Sequence, residues 1–363
     1  MYDRVFNFSA GPSALPLPVL ERARNEMVNF EESGMSVMEL SHRSQIYNGI
    51  MERAENGLRQ ALNVPDDYAV LFLQGGASFQ FTMLPMNLTL EGKAVDALNT
   101  GVWTQKAIAE LEKIAQYRIA GSSEAEGFTR LPRPDEISFN PNASYVHIAS
   151  NNTIYGTQWH RFPDTGDAPL VADMSSDILS RPIDVSDFGV IFAGAQKNIG
   201  PAGVTIVIIR KDLAGRASDN LPTMLNYRTH ISKGSMFNTP PTFGIYIIAL
   251  VMEWIAAEGG VSAMEKYNKT KAALLYNAID ASDFYSGPVN KADRSLMNVV
   301  FRVKSGDAEL EKQFVTQAAA AGLSNLKGHR STGGIRASIY NAQPIEGVGA
   351  LVEFMQQFEQ KYG

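Results

Sequence analysis

The 363-residue chain contains no cysteine. Disulfide bonds, thiolate metal sites and a cysteine nucleophile are therefore excluded, and the chemistry of the protein must come from other side chains. The absence of cysteine also fits a reducing compartment, so we expect a cytoplasmic location. We identify no metal site in the sequence.

Excess basic charge and long apolar runs are missing as well. The formal net charge is −6, so composition does not predict a nucleic-acid partner. The longest uncharged apolar stretch covers residues 243–252, which is too short to span a bilayer and predicts a buried or interfacial helix. The N-terminus lacks a basic leader followed by an apolar stretch, so we expect neither a signal peptide nor a membrane partner.

The chain shows an alternation of short apolar runs and helical patterns. Strands are predicted at residues 69–73, 94–98, 145–149, 170–172, 190–192 and 204–209, with early helices at 16–32 and 51–62. This alternation predicts an α/β fold with a mostly parallel sheet flanked by helices, which binds ligands beyond the carboxyl ends of its strands. A nucleotide-binding dehydrogenase is disfavoured because no Gly-x-Gly-x-x-Gly motif opens a βαβ unit.

The pattern changes after Gly259 and Gly260. Beyond them we predict a smaller α+β domain, with helices at 262–280, 307–321 and from 344, and strands at 296–303 and 334–339. The expected organisation is an N-terminal segment (1–15), a large domain (16–259) and a small C-terminal domain (260–363).

Lys197 is the most informative residue of the chain. It follows an apolar run and small residues, in Ala195-Gln-Lys-Asn-Ile-Gly-Pro201, so its amine has room for a bulky group. A desolvated lysine can form a Schiff base with pyridoxal phosphate, and Asp173, at the end of another apolar run, could hold the pyridinium nitrogen protonated. The alternatives are a solvated surface lysine and an aspartate that caps a turn or helix.

Three further strand ends carry candidate cofactor contacts. The motif Gln74-Gly-Gly-Ala-Ser78 starts a helix, where free N–H groups favour phosphate, although an ordinary capped turn would look the same. Trp103 could stack on a flat ring or belong to the core. Thr153 could donate a hydrogen bond to a ring oxygen or serve a turn.

Basic residues recur in two matching contexts, His42-Arg-Ser44 and His329-Arg-Ser331. If they converge, they form a second anion pocket; otherwise they are unrelated surface pairs. Arg336 lies in a short apolar strand and needs an acid partner, either a substrate carboxylate or a protein carboxylate. Asn238 and Thr239 precede the long apolar helix and could supply donors or simply form a loop.

Together these residues resemble the class-V aminotransferase family of fold-type I pyridoxal-phosphate enzymes. The resemblance covers essentially the whole chain. It rests on the segments Asn7–Pro12, Ser41–Ser44, Gly75–Ser78, Ala195–Pro201, Gly328–Arg330 and Ile335–Asn341. Some members have arginine at the position of Ser78, so this chain lacks one charge near the cofactor phosphate.

The resemblance implies a role for each candidate. Lys197 would hold the cofactor and shuttle a proton, Asp173 would pair with the pyridinium nitrogen, and Trp103 would stack on the ring. The other cofactor contacts in the same chain would be Thr153 at the ring hydroxyl and Ala77, Ser78 and Gln196 at the phosphate. Asn238 and Thr239 would reach the cofactor phosphate bound in a partner subunit. The resemblance therefore implies a homodimer with shared sites. Substrate would be bound by Ser9, by Arg336 at the carboxylate, and by His42, Arg43, His329 and Arg330 at the phosphate or side-chain carboxylate.

The implied reaction is amino transfer between glutamate and 3-phosphohydroxypyruvate, giving O-phospho-L-serine and 2-oxoglutarate in serine biosynthesis. Some members also act on a phosphorylated hydroxythreonine analogue in vitamin B6 synthesis. The main alternative is an aminotransferase of the alanine–glyoxylate type, which would have no use for a second anion pocket. The two His-Arg pairs argue against that alternative.

Overall fold

The structure is a computed structural model and describes residues 3–363 of the chain. The helices are α1 (Leu17–Glu26), α2 (Gln45–Leu62), α3 (Gly76–Leu88), α4 (Val102–Ile114), α5 (Lys211–Ala214), α6 (Tyr227–Ser232), α7 (Thr242–Ala257), α8 (Gly260–Asp280), α9 (Ala308–Ala320) and α10 (Ile345–Tyr362). The strands are β1 (Phe6–Asn7), β2 (Tyr68–Leu73), β3 (Val95–Asn99), β4 (Tyr117–Ser122), β5 (Val146–Ala149), β6 (Asn151–Asn152), β7 (Thr157–Gln158), β8 (Leu170–Asp173), β9 (Val190–Gly194), β10 (Thr205–Arg210), β11 (Tyr285–Ser286), β12 (Asn298–Val303), β13 (Leu323–Ser324) and β14 (Ile335–Ser338).

A seven-stranded sheet organises the first two thirds of the chain. Its order is β2-β10-β9-β8-β5-β3-β4, and only β10 runs antiparallel to its neighbours. Strands β2, β3, β5, β8 and β9 are buried throughout, because helices cover both faces and the runs of β-branched and apolar residues find core on either side. The mostly parallel α/β sheet predicted from the sequence is confirmed. Edge strand β4 was not predicted, since its exposed residues break the apolar run.

The two early helices differ from the prediction at their boundaries. Helix α1 stops at Glu26, not at residue 32, because Phe30 turns inward against Tyr246 with ring centroids 5.7 Å apart. Helix α2 begins at Gln45, six residues before the predicted start, because the Ser44 side chain accepts a hydrogen bond from the N–H of Tyr47 at 3.2 Å and caps the first turn.

The C-terminal part forms its own layer, with the antiparallel sheet β11-β12-β14 packed against α8, α9 and α10. The predicted change of pattern at Gly259 and Gly260 falls where α7 ends and α8 begins. Strand β1 pairs in parallel with β13, and Phe8 is fully buried in the C-terminal core. Residues 6–8 are thereby held beside the C-terminal layer, and Ala10 and Gly11, which follow them, line a cavity at the carboxyl edge of the large sheet.

Helix α7 contains the predicted apolar helix and is buried from Gly244 to Met252. Within residues 3–363 no single helix has the length and apolar character needed to cross a bilayer; α7 and α8 pass that test only as a pair bent by 79°.

Candidate active site

A cavity of about 360 Å³ lies at the carboxyl ends of β8 and β9, between the large sheet, the N-terminal segment and the C-terminal layer. Its size falls in the range of small-molecule and cofactor sites. The predicted residues that line it are Ala77, Ser78, Trp103, Thr153, Asp173, Gln196, Lys197, His329 and Arg336. Most of the residues proposed for the cofactor therefore meet in one place.

Lys197 lies in a tight turn just beyond β9, and it is only 9% exposed. Its Nζ donates to Thr153 Oγ1 at 3.1 Å. Burial is the main reason that the pKa of Lys197 falls to about 8, with a further lowering from Arg336 and an opposing effect from Asp173. The solvated surface lysine considered from the sequence is therefore wrong, and this amine is able to lose its proton near neutral pH.

The N-terminal segment closes over the Lys197 turn. The Ser13 hydroxyl donates to the Lys197 carbonyl oxygen at 3.0 Å, and the N–H of Ser13 donates to Gln196 O at 2.9 Å. A Cβ on Gly11, whose φ is +142°, would lie 3.3 Å from Cε of Lys197. Glycine is therefore suited to this close approach of the backbone to the lysine side chain.

Asp173 ends β8 and is 7% exposed. Its Oδ1 accepts a hydrogen bond from the N–H of Ser175 at 2.9 Å, which is the turn contact considered from the sequence. The carboxyl nevertheless lines the cavity, and burial raises its pKa against the opposing effects of Ser175 and Lys197. A cation in the cavity would favour the ionised carboxylate over the protonated acid.

The start of α3 forms the polar end of the cavity. Gly75 and Gly76 have φ of +90° and +69°, so they adopt the left-handed conformation that leads into the helix. Ala77 and Ser78 follow in the first turn, which contains no acidic residue. Because the first N–H groups of this 13-residue helix have no acceptor within the helix, this end favours an anion such as a phosphate.

Trp103 supplies the aromatic wall of the cavity from the first turn of α4. It is half-buried, so it packs against the core and also presents part of its ring to the cavity. Thr153 is buried beside β6 and is held by Lys197. These two residues face a space in which a flat ring fits.

The side of the cavity formed by the C-terminal layer carries the basic residues Arg336 and His329. Arg336 on β14 is half-buried, and no aspartate or glutamate in residues 3–363 forms a salt bridge with it. Burial lowers the pKa of Arg336. Burial is also the main cause of the lowered pKa of His329, with contributions from Arg336, Arg330 and Lys106. The lowered pKa favours neutral His329 in the absence of an anion, whereas Arg336 is a half-buried cation that calls for an anionic ligand.

The remaining predicted residues lie outside the cavity of a single chain. Ser9 is half-buried, and Arg330 is exposed beside His329. The other members of this group are His42 and Arg43 in the turn before α2, and Asn238 and Thr239 before α7. The expected convergence of the two His-Arg pairs is therefore not found within one chain, where only His329 reaches the cavity.

Sequence reasoning missed several polar residues of the site. Asn151 and Ser176 line the cavity and are linked by a hydrogen bond from Asn151 Nδ2 to Ser176 Oγ at 2.8 Å. Asn151 Nδ2 also donates to Asn298 Oδ1 at 2.7 Å, which connects the site to β12. Lys106 places its Nζ 4.5 Å from the centre of the Trp103 ring. Of these contacts, only the one between Lys106 and Trp103 could have been suggested by the sequence, because the two residues are three positions apart in a predicted helix.

The residues present fit pyridoxal phosphate. A buried lysine with a pKa of about 8, a buried aspartate, an aromatic wall and the N-terminus of α3 surround one cavity. These groups match, in order, the aldehyde, the pyridine nitrogen, the ring and the phosphate of that cofactor.

Comparisons with known proteins agree with this geometry. The family model "Aminotransferase class-V" matches residues 5–351. The phosphoserine aminotransferase of Geobacillus kaustophilus (strain HTA426) is 56% identical over 360 residues, which cover 99% of each chain. The solved structure of the phosphoserine aminotransferase from Bacillus circulans subsp. alkalophilus has a TM-score of 0.97 and 49% identity, with all of both chains covered. The structure of the PLP-bound enzyme from Trichomonas vaginalis has a TM-score of 0.93 and 42% identity, and the match covers 97% of this chain and 100% of that one. The chain belongs to the class-V aminotransferase family.

Proposed function

We propose that the protein is a pyridoxal-phosphate-dependent phosphoserine aminotransferase. It transfers the amino group between L-glutamate and 3-phosphohydroxypyruvate, which gives O-phospho-L-serine and 2-oxoglutarate and serves serine biosynthesis. The main supporting observation is that a buried lysine with a pKa of about 8 shares one cavity with His329 and with Arg336, which has no acidic partner in residues 3–363. A relative with this activity in its name is 56% identical over 360 residues, which cover 99% of this chain.

Pyridoxal phosphate, when bound, supplies a ring that withdraws electrons from Cα of the amino acid. Lys197 would attach it through Nζ. The first turn of α3, with Ala77 and Ser78, would hold its phosphate together with Gln196, and Trp103 would cover one face of the ring.

The side chains of the protein then hold and move protons. Lys197 Nζ, with a pKa near 8, is suited to remove a proton from Cα and to return it on the other side of the transfer. Asp173 would hold a proton on the pyridine nitrogen, because a buried carboxylate gains most from a cationic partner. Thr153, which already contacts Nζ, would orient the lysine and the ring hydroxyl.

Arg336 would bind the α-carboxylate, since its guanidinium has no acidic partner among residues 3–363. His329 and Arg330 would bind the distal group of the substrate, which is the phosphate of the keto acid or the side-chain carboxylate of glutamate. Histidine suits both, because its protonation can follow the charge of the ligand. An alanine–glyoxylate-type enzyme would need no such distal site, and that alternative is not favoured.

We further propose a homodimer in which each site is completed by the partner chain. Asn238 and Thr239 are exposed and lie outside the cavity of their own chain, where they could reach the cofactor phosphate of a second copy. Phe79, Met224 and Phe237 around Asn238 are 38%, 41% and 45% exposed, and such an apolar patch favours a contact surface.

The same reasoning applies to His42 and Arg43. They lie outside their own cavity, between the exposed apolar residues Met38 and Ile46. If they reached the site for the distal group of the substrate in the partner subunit, both His-Arg pairs would bind the same part of the substrate. The assignments of Ser9 to substrate and of the protein to the cytoplasm remain proposals of the same kind.

The test is a visible absorbance spectrum of the purified protein with pyridoxal phosphate. The band of the bound cofactor should bleach on addition of glutamate and return on addition of 3-phosphohydroxypyruvate. If the band returned only with an unphosphorylated keto acid, the protein would have a different aminotransferase activity. The absence of any band after addition of the cofactor would overturn the role of Lys197.

A further inference from the structure

The loop at residues 328–334, which carries His329, is closed on itself by local hydrogen bonds. The N–H of Gly328 donates to Gly334 O at 2.8 Å, and the N–H of Gly333 donates to His329 O at 2.8 Å. These bonds fix the shape of the loop. They do not fix its position relative to the cavity, so other contacts must do so.

Two charged side chains outside the cavity supply those contacts. Arg302 on β12 donates from Nη1 to the carbonyl oxygen of Thr332 at 2.8 Å. Glu311 on α9 accepts the N–H of Gly334 at its Oε2, at 3.1 Å. The loop is therefore anchored once at its middle and once at its base.

Arg302 and Glu311 also contact one another. Nε of Arg302 lies 2.7 Å from Oε1 of Glu311, close enough for an ion pair although the N–H is not aligned for a hydrogen bond. Glu311 is 8% exposed, whereas the Arg302 side chain is 35% exposed, so the ion pair is only partly shielded from solvent and salt.

Glycines leave the room that Arg302 needs. A Cβ on Gly334, whose φ is +71°, would lie 3.0 Å from Cδ of Arg302, and a Cβ on Gly306 would lie 2.9 Å from its Nη2. The guanidinium of Arg302 thus lies between the turns at Gly306 and Gly334, where a larger residue would collide with it. The position of Arg302 is consequently coupled to the backbone of the loop.

We propose that Arg302 and Glu311 are positioning residues that hold the 328–334 loop so that His329 faces the cavity, and that they thereby set the affinity for the anionic tail of the substrate. This inference rests on the proposed function, because it takes His329 and Arg330 as the groups that bind the phosphate. Neither residue lines the cavity of Lys197; Arg302 lines an adjoining cavity of about 340 Å³ together with His329 and Arg336, and Glu311 contacts the loop from α9.

The experiment compares Arg302→Met and Glu311→Gln with Glu309→Gln, a matched charge removal at an exposed position of the same helix. Steady-state kinetics of each holoenzyme are measured with 3-phosphohydroxypyruvate and with hydroxypyruvate, which lacks the phosphate. We expect the KM for the phosphorylated keto acid to rise about tenfold or more in the first two variants, because small misplacements of binding groups are costly. In the same two variants, the kcat and the kinetics with hydroxypyruvate should change less than about twofold. Arg302→Lys should recover part of the lost affinity for the phosphorylated keto acid. The control Glu309→Gln should behave as wild type.

Equal losses with both keto acids, or losses that follow a fall in Tm, would show a purely structural role and overturn the inference. An unchanged KM in Arg302→Met and Glu311→Gln would overturn it as well. Failure of the proposed function is recognised separately, because the wild-type enzyme would then show no preference for the phosphorylated keto acid before any variant is made.

Discussion

The replacement of Arg336 by methionine separates a substrate-binding arginine from a structural one. The guanidinium is half-buried and has no carboxylate partner in residues 3–363. A bidentate contact with the α-carboxylate would be lost, at a cost of about 2–4 kcal/mol for two charge-assisted hydrogen bonds. The expected fall in kcat/KM is therefore about 30-fold to 1000-fold for glutamate and keto acid alike.

The folding stability of Arg336→Met, in contrast to its activity, should not fall. An unpaired buried charge costs solvation free energy, and methionine keeps much of the packing of the arginine stem. We expect the free energy of unfolding of the cofactor-free protein to stay the same or to rise by about 1 kcal/mol.

The assay combines urea unfolding with steady-state kinetics of Arg336→Met, Arg336→Lys and the control Arg161→Met, whose arginine is exposed and outside the cavity. Arg336→Lys should lie between wild type and Arg336→Met in activity, because lysine keeps the charge and loses the planar fork. A large loss of stability in Arg336→Met, or normal activity in it, would refute the reasoning.

The other predictions address the lysine, the distal site, the subunit contact and pH. Lys197→Ala should abolish both half-reactions and leave the far-UV circular dichroism spectrum intact; retained turnover would remove the central claim. Arg330→Ala should raise the KM for the phosphorylated keto acid about tenfold through loss of a charge-assisted contact, and an unchanged KM would place the phosphate elsewhere. The double variant Asn238→Ala, Thr239→Ala should bind pyridoxal phosphate more weakly in equilibrium dialysis, whereas an active isolated monomer in sedimentation would contradict the shared site. Because the pKa of Lys197 drops from 10.5 to about 8 on folding, the unfolded chain binds more protons between those pH values. The cofactor-free wild type should therefore gain about 3 kcal/mol of stability relative to Lys197→Met as pH rises from about 8 to 10.5, and a flat difference in urea titrations would argue against the buried amine.

Local signals made much of the large sheet predictable. Each buried strand consists mainly of apolar or β-branched residues, and such a run needs no distant information to be recognised. Lys197 and Asp173 were found for the same reason, since each stands where such a run ends. Edge strand β4 escaped because its exposed side chains resemble a loop, and the end of α1 escaped because Phe30 turns towards Tyr246, more than two hundred residues away.

The site could be predicted only in part, because its arrangement depends on contacts between segments that are distant in the sequence. The sequence shows two identical His-Arg pairs but not where each one lies, and a single chain brings only His329 to the cavity. Arg302 and Glu311 carry no local motif, and their contacts to the 328–334 loop follow from the packing of β12 against α9. Chemistry-bearing motifs are thus visible in the sequence, whereas the residues that position them depend on tertiary structure.

The charge distribution around Lys197 links substrate binding to its basicity. Asp173 raises the pKa of Lys197, and Arg336 lowers it, in addition to the dominant effect of burial. An anion bound at Arg336 would cancel the repulsion between the two cations, so the pKa of Lys197 would rise when the α-carboxylate arrives. The charge state of Lys197 therefore depends on whether Arg336 is paired with an anion, so the two basic residues of the cavity are electrostatically linked.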